Sequence, residues 1–166
     1  MKKLNILLFI ILIAAVLGMI ALFQNRGNNK HTNSYPFFLS TKFSTSNIRS
    51  GPGEEYPIIW VYKKKNIPFK VIAEYKNWYQ IQDYNGKVGW IFKNTTSKTK
   101  SAITNKKIEV YKTPEQDAKK IATIDKGIIV IIHKIKGEYV QILLSIDKVK
   151  IDGWTLKSNL WGEYKE

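Results

Sequence analysis

The longest hydrophobic stretch of the chain runs from Leu4 to Phe23, and Asn5 is its only clearly polar residue. Twenty helical residues span roughly 30 Å, the thickness of a bilayer core. The stretch has no polar face, which disfavours a buried amphipathic helix. The charged head Met1-Lys2-Lys3 precedes it, as in an export signal. We therefore predict a transmembrane or signal helix, a signal anchor or signal peptide, at residues 1–23.

An uncleaved anchor is favoured over a cleaved peptide, because the apolar run is longer than the roughly 7–15 residues of a secretory signal. The best cleavage site, at residues 16–18, would leave several apolar residues beyond the cut. Basic residues flank both sides, with Arg26 and Lys30 following the run, so the positive-inside rule gives only a small preference. The short charged head favours export of everything after the run.

Residues 24–34 are polar, contain glycine and lack apolar periodicity. This pattern predicts a flexible linker. Eleven such residues have a mean span of about 18 Å. The following residues would then stay close to the membrane surface.

From Tyr35 onward, short β-favouring runs replace helical periodicity. Four of them are Phe37–Leu39, Ile58–Tyr62, Phe69–Ile72 and Trp78–Ile81. Turn signals separate them at Ser50–Gly53, Lys76-Asn77 and Tyr84–Gly86. The pair Asn85-Gly86 predicts a hairpin with a type I′ turn, which needs positive φ at both residues. Such spacing predicts an all-β fold, a small barrel or sandwich.

The second half of this region repeats the first. Residues 77–81 match residues 138–142 at an offset of 61, and Gly89-Trp90 recurs as Gly153-Trp154 at an offset of 64. The hairpin before the second Gly-Trp pair is therefore three residues longer. The repeat predicts two tandem β units, at residues 35–100 and 101–166.

The same offset of 61 indicates where the two hydrophobic cores lie. An alternating set shares one strand face in each unit: Ile67, Phe69 and Val71 in the first, and Ile128, Val130 and Ile132 in the second. We expect one core around Val71 and Ile81 and another around Ile132 and Ile142.

Residues suited to catalysis or metal binding are scarce. The chain has no cysteine and two histidines, His31 and His133, about a hundred positions apart. Thiolate chemistry is excluded, and a histidine-cluster metal site cannot be built. Glu54-Glu55 are adjacent and point apart, a poor acid/base pair, and no phosphate-binding glycine loop is present. We predict no catalytic residue, no metal, no cofactor and no enzyme activity.

The charge is strongly basic, with 27 basic against 13 acidic residues and a net charge of +14. Such a surplus favours anionic partners. However, all basic residues except Arg26 and Arg49 are lysine, in a chain also rich in isoleucine and asparagine. An AT-rich genome produces the same bias, so the charge alone does not identify a partner.

Several motifs resemble those of the bacterial SH3-like (SH3b) domain: Asn47-Ile48-Arg49-Ser50-Gly51-Pro52-Gly53, Tyr56-Pro57, Trp60-Val61, Trp78 and Gly89-Trp90. More narrowly, residues 37–164 resemble exported alphaproteobacterial proteins with two such domains, which end in a segment like Leu160–Tyr164. The resemblance implies two tandem SH3-like β-barrels. In the second repeat, Tyr111–Glu115 replaces the Gly-Pro-Gly turn, which puts ligand binding by that copy in doubt.

The glycines and prolines of these motifs have mainly structural roles. Pro52 presets φ near −65°, and Gly53 would supply the positive φ of a type II turn. Gly89 would let a large ring pack closely over an adjacent strand.

The candidate ligand-binding residues are aromatic or basic and lie in the first unit: Tyr56, Trp60, Tyr62, Lys63, Lys64, Lys65, Trp78 and Trp90. So small a unit can fully bury only a few large rings, and the exposed ones suit an extended peptide or a sugar face. Strand parity places Trp78 opposite Tyr79 and Ile81. With Ile81 in the core, we expect Trp78 to be exposed. Packing in the barrel is the alternative role for each ring.

The resemblance implies a non-catalytic binding module, because SH3b domains of wall-processing enzymes commonly target peptidoglycan. Its stem peptides are extended and carry carboxylates, which suits aromatic rings and lysines. A protein–protein interaction scaffold of the envelope is the alternative. Nucleic-acid binding fits the charge but not the export signal, so it is not expected. We expect a location in the cell envelope, on the periplasmic face, anchored to the inner membrane through residues 4–23 or secreted if the signal is cleaved.

Overall fold

The computed structural model describes residues 34–146 and 149–162. The predicted anchor at residues 1–23 and nearly all of the predicted linker lie outside the described residues. No helix among the described residues is long and apolar enough to cross a membrane. Ser34–Glu166 forms one compact unit, and both hydrophobic clusters of the described chain lie within it. This part therefore carries the core that it needs to fold on its own.

The first sheet has seven antiparallel strands: β1 (Phe37–Thr41), β2 (Ser46–Arg49), β3 (Ile58–Tyr62), β4 (Pro68–Tyr75), β5 (Trp78–Gln82), β6 (Val88–Phe92) and β7 (Thr96–Ser97). Their order across the sheet is β3-β2-β6-β5-β4-β1-β7, so β3 lies at an edge. A single 3-10 turn at Lys93–Thr95 connects β6 to β7.

The second sheet repeats this plan with β8 (Ser101–Thr104), β9 (Ile108–Tyr111), β10 (Lys120–Ile124), β11 (Ile129–Lys136), β12 (Tyr139–Ile146), β13 (Val149–Leu156) and β14 (Leu160–Trp161). The order β10-β9-β13-β12-β11-β8-β14 matches the first sheet strand for strand. The described residues thus form two β-sheets, and the all-β prediction is confirmed.

The repeat extends to the backbone conformation of the turns. Asn66 and Lys76 have positive φ, 62° and 49°, although neither is glycine. Gly127 and Gly137, each 61 residues later, also have positive φ, 82° and 54°. Positive φ is uncommon for residues with a Cβ atom. Its recurrence at equal spacing shows that the two sheets are built from equivalent turns.

A threonine fixes the turn before β4 in the first sheet and before β11 in the second. The Thr41 hydroxyl donates to the Lys64 carbonyl at 2.8 Å and accepts from the Ile67 amide at 3.0 Å. The Thr104 hydroxyl donates to the Asp125 carbonyl at 2.7 Å and accepts from the Ile128 amide at 2.9 Å. Both threonines are fully buried, so each satisfies backbone groups that would otherwise be buried without partners.

Each sheet encloses its own hydrophobic cluster. The first comprises Ile48, Phe69, Val71, Ile81 and Ile91. The second comprises Ala102, Ile108, Val110, Ile124, Val130, Ile132, Val140, Ile142 and Leu160. The expected core positions in both repeats are therefore confirmed.

Two predicted turn conformations are wrong. Gly53 does not have positive φ. Its amide instead donates to the Gly51 carbonyl at 3.1 Å, across Pro52. At the β5–β6 hairpin only Gly86 has positive φ, 82°, and its amide donates to the Asp83 carbonyl at 3.0 Å. The hairpin exists as predicted, but it is not a type I′ turn.

The β12–β13 hairpin is longer than its counterpart, as the two offsets predicted. The strands β5 and β6 have five residues each, whereas β12 and β13 have eight each.

Trp161 of β14 contacts the first repeat, with its ring centroid 5.0 Å from that of Phe38 and 5.6 Å from that of Tyr84. These edge-on aromatic contacts link the two sheets.

Candidate functional site

Six of the eight candidate residues lie in one continuous segment, Tyr56–Lys65, which contains the edge strand β3. The other two, Trp78 and Trp90, lie on the interior strands β5 and β6. The structure therefore brings most of the candidates to one edge of the first sheet.

Arg49 holds the loop that precedes β3. Its Nη1 atom donates to the backbone carbonyl of Glu54 at 2.9 Å and to that of Tyr56 at 2.7 Å. A Cβ atom at Gly51 would overlap the Tyr56 ring, so only glycine fits beneath it. Tyr56 itself is 41% exposed. The Asn-x-Arg-Ser-Gly-Pro-Gly motif thus positions an exposed ring.

Trp60 and Tyr62 form a half-buried aromatic pair on β3. Their ring centroids are 6.3 Å apart in an edge-on arrangement. Trp60 also covers Gly89, where a Cβ atom would lie 2.9 Å from its Cη2 atom. The close packing of a large ring over Gly89 is therefore confirmed, and the ring is that of Trp60. Burial raises the pKa of Tyr62, and the negative charge of Asp83 adds to this effect.

Lys63, Lys64 and Lys65 follow β3 directly, and all three are exposed. Because the Lys64 carbonyl accepts from the Thr41 hydroxyl, the backbone of this segment is fixed against the first sheet. Three positively charged side chains therefore follow the carboxyl end of the edge strand.

Trp78 differs from the prediction. It is only 8% exposed, so the expectation of an exposed ring is wrong. Its ring lies 5.4 Å from that of Phe92, its direct cross-strand neighbour on β6. Trp90 is half-buried in the middle of the sheet, paired with Arg49 and Gln80.

Two exposed residues of the edge were not among the candidates. Ile58 and Ile59 are 46% and 47% exposed. Ile59 lies at an irregularity in the pairing, since Ile48 pairs with Trp60 and Arg49 with Ile58. Such a bulge leaves one residue unpaired. Tyr56, just before β3, is a third exposed apolar residue of this edge. We call Tyr56, Ile58 and Ile59 the β3 strip.

The second sheet provides an internal comparison for this edge. Strand pairing aligns the two edges, because Tyr111 pairs with Lys120 as Arg49 pairs with Ile58. The equivalent hydrogen bonds of Thr41 and Thr104 align Lys64 with Asp125.

The second edge keeps an exposed isoleucine, Ile121, at the bulged position of Ile59, but most other positions of the first edge are changed. At the positions of Tyr56, Ile58, Trp60, Tyr62 and Lys64, the second sheet has Ala118, Lys120, Ala122, Ile124 and Asp125. Lys120 forms an ion pair with Glu109 at 2.9 Å. Charged residues are the usual protection of an edge strand. The same fold is therefore built without the aromatic rings of the first edge. A comparison of the two repeats at these positions could have revealed Ile58 from sequence.

Comparisons with known proteins include a family match and two similar solved structures. The family model "Bacterial SH3 domain" matches residues 42–98. A comparison with curated proteins gives no match. Among solved structures, the chain is similar to NlpC1 from Trichomonas vaginalis, with 11% identity, a TM-score of 0.34, and coverage of 81% of this chain and 48% of that one. NlpC2 from Trichomonas vaginalis gives 13% identity, a TM-score of 0.34, and coverage of 81% and 50%. The chain thus spans about half the length of either structure. The residues that match the bacterial SH3 domain family, 42–98, contain the β3 strip and the three lysines.

Proposed function

We propose that this protein is a non-catalytic binding module of the bacterial cell envelope, built from two tandem SH3-like barrels. The first barrel binds peptidoglycan, through its stem peptides, at the β3 strip and the adjacent lysines. One observation carries this proposal. Tyr56, Ile58, Trp60 and Lys64 of the first edge are replaced at the equivalent edge of the second by Ala118, Lys120, Ala122 and Asp125, so the fold does not require them.

The chemistry of the first edge suits an extended, acidic peptide. Exposed apolar side chains such as Tyr56, Ile58 and Ile59 gain free energy when a partner covers them, about 25 cal/mol per Å² of apolar area. The three lysines that follow place positive charge where a partner's carboxylates would lie. Surface charges of this kind accelerate association and set specificity more than they add affinity.

The predicted N-terminal anchor agrees with this role. Residues 4–23 would hold the protein in the inner membrane, and the linker would place the first barrel within about 18 Å of the periplasmic surface. The ligand is then the cell wall that lies beyond the membrane.

A sedimentation assay with purified sacculi tests the proposal. Residues 34–166 should pellet with sacculi, and less so as salt rises, because exposed charges are screened within about 10 Å at 0.1 M salt. Replacing Lys63, Lys64 and Lys65 by glutamine should weaken binding and flatten its salt dependence.

The matched control replaces three exposed lysines of the second sheet, Lys106, Lys107 and Lys126, by glutamine. This variant loses the same three positive charges, but it should bind sacculi nearly as well as the wild type does. Equal loss in both variants would mean that binding is a general effect of net charge. If the wild type fails to pellet, peptidoglycan is not the ligand.

A further inference from the structure

The β12 strand extends past the end of its pairing with β11, its neighbour on one side. Its pairing with β11 reaches Leu143, opposite Ile131, whereas its pairing with β13 continues to Ile146. In the first sheet, β5 stays paired with β4 up to its last residue, Gln82. Beyond Leu143, β12 pairs with β13 and no longer with β11, and a cleft lies between the ends of β11 and β12 and residues 64–66 of the first sheet.

This cleft has a volume of about 340 Å³. Its lining is apolar on the side of the second sheet, with Ile128, Ile129, Ile131, Leu144 and Ile146. The first sheet contributes Lys64, Lys65 and Asn66 to its lining. No carboxylate is among the described lining residues. The cleft thus combines an apolar wall from the second sheet with polar groups, which include Ser145 and the two lysines of the first sheet.

The apolar surface continues past the cleft along the hairpin. A neighbouring recess of about 280 Å³ is lined by Leu144, Ile146, Val149 and Ile151. Ile146 and Val149 are 49% and 61% exposed. A contiguous apolar patch of this kind usually marks a binding surface. In the first sheet the corresponding hairpin closes in a short polar turn around Asp83 and Gly86.

We propose that the cleft binds a single-chain anionic amphiphile of the fatty-acid type. The acyl chain lies along the separated strands, and the carboxylate lies between Lys64 and Lys65. The volume is within the range of small-molecule sites. A flat bilayer surface would not fill a concave gap between two strands, so a single chain fits the shape better.

Binding of decanoate to residues 34–166, measured by calorimetry below the micelle concentration, tests this proposal. The expected binding is saturable at one site. Shortening the chain by one methylene should weaken it about fourfold, because each buried CH₂ contributes a fixed increment. Decyltrimethylammonium, which has the same chain and the opposite charge, should bind at least tenfold more weakly.

Two variants and one control locate the site. Ile146→Gln should weaken decanoate at least tenfold, and Lys64→Gln with Lys65→Gln should remove the preference for the anion. The control Ile121→Gln changes an isoleucine that is 44% exposed elsewhere on the same sheet, and it should bind decanoate as the wild type does.

The results that would overturn the proposal are specific. They are the absence of saturable decanoate binding, equal loss in Ile146→Gln and Ile121→Gln, or equal affinity for both head groups. Pelleting with phosphatidylglycerol vesicles that depends on Ile146, without binding of monomeric decanoate, would identify a bilayer as the partner instead. Because Lys64 and Lys65 also belong to the proposed peptidoglycan site, Ile146→Gln must leave sacculus binding unchanged, and Tyr56→Ala must leave decanoate binding unchanged.

Discussion

Replacing Gly89 by alanine should destabilise the first sheet and disturb its binding edge together. The added Cβ atom would lie 2.5 Å from Cγ2 of Ile48, 2.9 Å from Cη2 of Trp60 and 3.2 Å from the carbonyl oxygen of Arg49. Non-bonded carbon atoms pack at about 3.5–4.0 Å. Ile48 is fully buried and cannot move into solvent. Trp60 is only half-buried, so its ring must tilt outward.

The magnitude follows from two opposing effects. Overpacking a filled core costs about 1–3 kcal/mol. Alanine also reduces the conformational entropy of the unfolded chain, which stabilises the protein by about 0.4–1 kcal/mol. The expected net loss is about 1–1.5 kcal/mol in the free energy of unfolding, against the 5–15 kcal/mol or so by which a small domain is stable. Affinity for sacculi should fall in the same variant, because the Trp60 ring is displaced.

Urea denaturation of residues 34–166 measures this loss, and a double-mutant cycle assigns its cause. In a Trp60→Ala background the contact with the ring is absent while that with Ile48 remains, so Gly89→Ala should cost about 1 kcal/mol less than in the wild type. If Gly89→Ala is as stable as the wild type, or costs the same in both backgrounds, the packing of Trp60 on Gly89 does not have the role assigned to it.

Two further predictions concern the cores and a buried tyrosine. Ile81→Ala and Ile142→Ala should each lower the free energy of unfolding by about 2–4 kcal/mol, since both side chains are fully buried. In the same urea titrations, Ile59→Ala should change the free energy of unfolding by less than about 1 kcal/mol. Because burial raises the pKa of Tyr62 above its unfolded value near 10, the contribution of its protonated form is complete below about pH 10 and is lost as the pH rises towards the folded pKa. The thermal stability of Tyr62→Phe should therefore fall less above pH 10 than that of the wild type, and equal alkaline loss would contradict the assignment.

The core could be predicted from the sequence because period-2 alternation determines which face of a strand is buried. Val71 and Ile81 are fully buried in the first cluster, and Ile132 and Ile142 lie in the second. The two offsets of the repeat also predicted that the second hairpin is longer than the first. Both inferences depend on short-range patterns that the sequence records directly.

The burial of Trp78 could not be predicted from alternation alone. Strand parity places it on the face opposite Ile81, but parity does not say what covers that face. Phe92, which is fourteen positions away in the chain, packs on the Trp78 ring. The predicted conformation of the turn at Gly53 is wrong for a related reason. Its conformation follows from the Arg49 contacts to the loop and the fit of Tyr56 over Gly51, which are tertiary interactions.

The binding edge was predictable in part. The sequence indicated the aromatic residues and the lysines of the first repeat, but not Ile58 and Ile59, because exposure at a bulged edge strand depends on the strand order. The cleft beside β12 was not predicted, since it exists only where two strands separate.

The most direct test of the central claim exchanges residues of the first edge for their equivalents in the second. The variant Tyr56→Ala, Trp60→Ala, Lys64→Asp makes the edge like that at Ala118, Ala122 and Asp125. Its affinity for a soluble stem-peptide fragment of peptidoglycan, measured by calorimetry, should fall at least thirtyfold, because removing one exposed aromatic anchor costs about 2 kcal/mol.

The matched control exchanges Ile121→Ala and Lys126→Asp at the second edge, and it should keep wild-type affinity. Circular dichroism of both variants must remain that of a folded β protein. Wild-type affinity in the first-edge variant, or an equal loss in the control, would contradict the assignment of the ligand site to the first sheet.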